Sequence, residues 1–85
     1  LSTNTNVFEN LTVYPNPANK VLWVQNSTIV DNGTIIIYNL LGKEVFKDTF
    51  TTDKKQINTG SFSRGVYLLK VISNNSETIK KIIIN

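Results

Sequence analysis

The 85-residue sequence contains neither cysteine nor histidine. Without cysteine no disulfide staples a small scaffold, and without either residue there is no zinc site of the usual kind. A chain of this length buries only roughly 60–65 % of the surface its unfolded form exposes, so its stability must come from packing and strand pairing. Catalysis loses its commonest groups too, because proton transfer near neutral pH and thiol nucleophiles depend on histidine and cysteine. The remaining carboxylates, Glu9, Asp31, Glu44, Asp48, Asp53 and Glu77, are scattered among turns and lysines, as solvated surface charges are, and do not read as a pair flanking a cleft. No enzyme is expected, and no metal or other cofactor. Asp31-Asn32 is a fragment of a calcium loop at most and reads as an Asx turn. Gly42-Lys43 lacks the upstream glycine and the helix of a phosphate loop.

Charge is also sparse. Nine basic and six acidic residues leave a net charge of +3, and the only basic doublets are Lys54-Lys55 and Lys80-Lys81, so nucleic acid is not an expected partner. No apolar run approaches the ~20 residues of a membrane span, and no membrane insertion is expected. Residues 1–10 lack the basic and apolar regions of a signal peptide. Their loose Ser/Thr/Asn composition reads as a linker remnant of a longer protein, ahead of a domain at residues 11–85. The sequons at Asn10, Asn26, Asn32 and Asn74 carry little weight in so asparagine-rich a chain.

What is present is β-branched and aromatic residues in short runs separated by Asn, Gly, Asp and Ser, with no sustained helical period. Seven strands are expected, at residues 11–14, 20–26, 33–39, 43–50, 54–59, 66–73 and 77–84, and the fold class is an all-β, immunoglobulin-like antiparallel sandwich. Asn39-Leu40-Leu41-Gly42 puts glycine where a three-residue hairpin needs positive φ. Asn74-Asn75 suits a two-residue turn before the last strand. Asp31-Asn32-Gly33 is a third turn signal, and residues 59–65 form a corner between sheets.

Alternation places Tyr67, Leu69 and Val71 on one face of the sixth strand and Val66, Leu68, Lys70 and Ile72 on the other, outer face. That outer face and the run Ile35, Ile36, Ile37, Tyr38 are apolar beyond what one small core hides. Cover by loops and lysine stems is the plain account, and an apolar patch that docks on a partner is the other. Trp23 reads as a core or sheet-covering residue, and Tyr67, just after the corner, as a tyrosine that ties its hydroxyl to nearby backbone. Trp23 with Tyr14, Tyr38 and Tyr67 leaves a carbohydrate-binding module as an alternative function, and a fibronectin-like spacer as another.

Val13-Tyr14-Pro15-Asn16-Pro17-Ala18, Ile37-Tyr38-Asn39-Leu40-Leu41-Gly42-Lys43-Glu44-Val45, Gly65-Val66-Tyr67-Leu68-Leu69-Lys70-Val71 and Lys80-Lys81-Ile82-Ile83-Ile84 occur in this order over nearly all of residues 11–85. Together they resemble the type A C-terminal sorting domain of type IX secretion in Bacteroidetes. Pro15, Asn16, Pro17, Gly42, Lys43, Gly65 and Tyr67 are the positions that carry the family motifs. The family usually has aspartate where this chain has Asn39, and many members end on a basic residue where this chain has Asn85.

The resemblance implies a C-terminal address on a larger cargo. The cargo, in cis and N-terminal, reaches the periplasm by a Sec signal. The domain is read by the outer-membrane translocon and its shuttle protein, and the cargo crosses to the surface. A sortase then cuts in the preceding linker, and the cargo is anchored or released. Each motif also has a plain structural role: the prolines fix φ and remove donors, the glycines serve turns and the tyrosine a corner. The adjacent pair Lys80 and Lys81 must point to opposite faces, so one of them snorkels or meets a partner. Lys80, Lys81, Ile82, Ile83 and Ile84 are therefore the expected partner-recognition residues, on a last strand whose edge offers unpaired backbone groups.

Overall fold

The computed structural model describes residues 11–26, 33–50, 53–73 and 76–85. The linker expected at residues 1–10 and the turn signals Asp31-Asn32 and Asn74-Asn75 lie outside the described residues. Seven strands follow in chain order: β1 (Thr12–Tyr14), β2 (Val21–Gln25), β3 (Gly33–Asn39), β4 (Glu44–Phe50), β5 (Lys54–Asn58), β6 (Gly65–Ser73) and β7 (Ser76–Ile84). They form two antiparallel sheets, ordered β1-β2-β5 and β4-β3-β6-β7.

Period-2 alternation explains the packing. Leu22, Val24 and Ile57 point inward from the smaller sheet, and Ile35, Ile37, Phe50, Leu69, Val71, Ile82 and Ile84 from the larger; all are essentially without solvent exposure. On β6 the buried positions are Tyr67, Leu69, Val71 and Ser73, the face expected from sequence. Ile36, on the outer face, lies in register between Lys47 of β4 and Lys70 of β6 and is nonetheless 8 % exposed. Long lysine stems on both sides fit the plain account of how an apolar outward residue of a central strand is covered.

The β3–β4 hairpin has the turn read from sequence. Gly42 has φ of +85°, Gly42 N–H donates to the Asn39 carbonyl at 3.0 Å, and Asn39 N–H donates to the Lys43 carbonyl at 2.9 Å. Asn39 Oδ1 accepts from Leu41 and Lys43 N–H, each at 2.9 Å. A second irregularity, not legible in the sequence, follows at once: Ile37 pairs with Phe46 but Tyr38 with Glu44, so Val45 is an extra residue on β4.

The β5–β6 corner carries the chain from one sheet to the other. Thr59 is buried and its N–H donates to the Lys20 carbonyl at 2.9 Å. Tyr67 Oη donates to the Ser63 carbonyl at 2.6 Å, the corner tie expected of it, and its ring packs 5.4 Å from that of Phe62. Gly65 closes the corner at φ of +151°.

Candidate functional site

The expected recognition residues sit on β7, an edge strand paired with β6 from Ser73↔Ser76 to Gly65↔Ile84. Alternation divides them. Ile82 and Ile84 are 0 % and 2 % exposed and belong to the core. They support the strand from inside and present nothing to a partner. Ile83, at 36 %, and Lys81 lie on the outer face. Lys80 is on the inner side with Ile82 but half-buried, and its stem can snorkel.

The expectation of an unpaired edge is corrected over half its length. Asn16 Nδ2 donates to the Lys81 carbonyl at 3.2 Å, and Ile83 N–H donates to Asn16 Oδ1 at 3.0 Å. Ala18 N–H donates to the Ile83 carbonyl at 2.8 Å and Asn85 N–H to the Ala18 carbonyl at 2.7 Å, a parallel bridge opposite Ile84. The motif Pro15-Asn16-Pro17-Ala18 thus does more than end a strand. The prolines have no N–H to offer, and the Asn16 carboxamide supplies the donor and acceptor that backbone would have supplied. The sequence hid this role because Asn16 and its two partners are separated by 65 and 67 residues.

Because Ile83 turns its N–H and carbonyl outward, alternation turns those of Glu77 and Ile79 outward as well, with the Lys81 N–H. This upper edge lies beyond the reach of the Asn16 seal. Next to it the outer face of the larger sheet presents Ile79 at 53 %, Leu68 at 37 % and Ile83 exposed. Lys70 stands in register beside Ile79 and lies 3.9 Å from Glu77. Among the described residues the geometry is that of a short open β edge bordered by apolar and basic side chains, suited to an added strand.

Of the motif positions, Gly42 and Lys43 serve the hairpin, Gly65 and Tyr67 the corner, and Pro15, Asn16 and Pro17 the β7 seal; they do not form one cluster. Among the described residues no group of three or more His, Cys, Asp or Glu side chains comes together. Trp23 covers the outer face of the smaller sheet. It stands in register opposite Tyr14, half-buried, with the Lys54 ammonium 4.9 Å from its ring centroid.

Residues 12–85 match the protein family described as the secretion system C-terminal sorting domain. Among curated proteins the chain is similar to an endo-acting ulvan lyase of Formosa agariphila, 40 % identical over 74 residues, which covers 85 % of this chain and 14 % of that enzyme. Among solved structures it resembles PorZ, described as an essential bacterial surface component of the type-IX secretion system of Porphyromonas gingivalis. The TM-score is 0.80 and the identity 16 %, over 93 % of this chain and 12 % of that one. It also resembles a DUF3244 family protein from Bacteroides vulgatus with an immunoglobulin-like β-sandwich fold, with TM-score 0.74 and 18 % identity over 86 % of this chain and 81 % of that one. At such identities the two structures establish the fold, an immunoglobulin-like sandwich.

Proposed function

The chain belongs to the family of secretion system C-terminal sorting domains, and from that membership we infer that it is the address of a type IX cargo, read along the outer flank of β7. A sorting domain directs the protein it is attached to across the outer membrane, to the cell surface or beyond. It is a non-catalytic module. The cargo's own activity lies in what is attached in cis, in keeping with a curated relative that this chain matches over 14 % of its length.

The observation that carries the finer reading is the half-open edge. An acceptor strand from the translocon or its shuttle protein pairs with the outward groups of Glu77, Ile79 and Lys81, and Lys81 and Ile83 give the contact its side-chain character. Ile82, Ile84 and Lys80 hold the strand in place for this encounter. The sortase cut falls within residues 1–10, ahead of the family match.

Proline at position 79 tests this selectively, because an edge strand tolerates proline where its N–H faces solvent. Residues 1–85 are fused behind a secreted reporter in a host with and without the type IX machinery. Export of the parent fusion depends on that machinery, and Ile79→Pro abolishes export while the purified chain stays folded. A parent fusion exported equally without the machinery refutes the sorting role; full export of Ile79→Pro refutes the edge as the place of recognition.

A second reading attaches to Trp23 and Tyr14, which stand in register on the smaller sheet. A carbohydrate-binding role there requires the chain to be retarded in polysaccharide-containing gels and Trp23→Ala to abolish the retardation. Equal migration of both removes that reading.

A further inference from the structure

The tip of the β3–β4 hairpin carries two leucines that the fold does not use. Leu40 is 68 % and Leu41 92 % exposed, the largest values among the exposed large hydrophobic residues described. The turn's own requirements are met on either side of them, by the Asn39 carboxamide and the positive φ of Gly42. Polar residues serve such positions equally well, so adjacent leucines here add nothing to stability and place apolar surface in water.

Three further observations concern the same end of the molecule. An open cavity of about 570 Å³ lies between the tip and the β5–β6 corner, with Leu40 and Leu41 themselves and Val45, Phe62 and Val66 in its apolar lining and Arg64 as its charge. Charge at this end is mainly basic: Lys20, Lys43, Arg64 and Lys81 occur in this half with Glu44, whereas toward the other end Asp48, Asp53 and Glu77 are interspersed with Lys54, Lys55 and Lys70. Finally, Thr12 is in register with Gln25, at the end of β2 far from Val21 and the corner. The described chain therefore begins at the opposite end of the strands from the tip.

We propose that the Leu40 and Leu41 tip, with the cavity beside Arg64, is a docking end for a folded protein partner that presents an apolar cleft rimmed by carboxylates. The leucines enter the cleft, the cavity accepts an apolar side chain in return, and Arg64 and Lys43 meet the acidic rim. The contact is small, as weak transient interfaces are, which suits a label that is read and then let go. The proposal rests on the sorting reading and names the surface by which the receiving component holds the address, at the end opposite the start of β1.

The test uses the same reporter fusion. Leu40→Ser/Leu41→Ser lowers type IX-dependent export at least about tenfold, as loss of a central apolar anchor does. The purified double variant melts within about 3 °C of the parent, because neither side chain is buried. Leu40→Met/Leu41→Met restores export, and Arg64→Glu lowers it while leaving the melt unchanged. Parent-like export of Leu40→Ser/Leu41→Ser overturns the proposal and leaves the sorting role standing. Self-association of the purified parent that the serine variant loses overturns it as well, since the tip then serves a second copy of the chain. A parent fusion exported without the machinery brings down the sorting reading and this proposal together.

Discussion

Asn16 shows how one side chain can stand in for a strand. Between two residues that cannot donate, its carboxamide satisfies the Lys81 carbonyl and the Ile83 N–H at 3.2 and 3.0 Å. Asn16→Ala leaves both without that partner, at the surface where water partly compensates, so the expected cost is about 1–2 kcal/mol. For a domain of this size that lowers the melting temperature by roughly 4–15 °C, measurable by circular dichroism. Asn16→Asp keeps the acceptor for Ile83 and loses the donor to Lys81, and should fall between the two. An Asn16→Ala melt equal to the parent's would mean the seal contributes nothing. Gly65 poses the complementary case, a backbone demand with no side chain. A Cβ there meets no atom within 4 Å, yet φ of +151° is a conformation other residues rarely adopt. Gly65→Ala therefore costs about 1–3 kcal/mol through strain alone, and urea denaturation showing no loss would contradict this.

At the scale of the element, β7 explains why removing the end of the chain is a poor test of recognition. Residues 80–85 include Ile82 and Ile84, which fill the core, and Asn85, whose N–H holds Ala18. Ile82→Ala alone is expected to cost about 2–5 kcal/mol, so a deletion mixes unfolding with loss of the label. Ile83→Ala, on the same strand but facing out, should cost less than about 1 kcal/mol, and comparing the two melts checks the assignment of faces. This division was half legible in the sequence. Three consecutive isoleucines guarantee that neighbours point to opposite sides, but the run itself does not say which. Turn chemistry was more informative: Asn39 and Gly42 fixed the hairpin because their demands are local. The Asn16 seal escaped because pairing between distant segments leaves no local pattern, and the bulge at Val45 because an extra residue in an apolar-polar run looks like ordinary alternation.

For the whole molecule, two flanks of the sandwich are closed by different means. On one flank Asn16 and Ala18 carry the smaller sheet's chain onto β7. On the other, Asp48 of the edge strand β4 and Lys55 of the edge strand β5 point inward from opposite sheets and meet at 3.0 Å. Both flanks join sheets that otherwise touch through apolar side chains. The Lys55 ammonium, by hydrogen bond and by charge, together with the Thr49 N–H, holds the Asp48 carboxyl below its ordinary value of 3.8. A lowered folded-state value means the ionised form favours folding. The contribution is present in full above 3.8 and is lost as the pH falls through the lower value of the folded state. Asp48→Asn should therefore melt below the parent by a constant margin from about pH 5 to 8, with the margin closing as the pH drops below 3.8. Half of the Asp48 side chain is exposed, so the margin should also shrink in molar salt. Asn16→Ala, whose lost bonds involve no ionisable group, should keep its margin across the same pH range and in salt. Thermal melts of the two variants from pH 2.5 to 8 distinguish the clasps, and a pH-independent deficit for Asp48→Asn would show that shape, not charge, joins the sheets on that side.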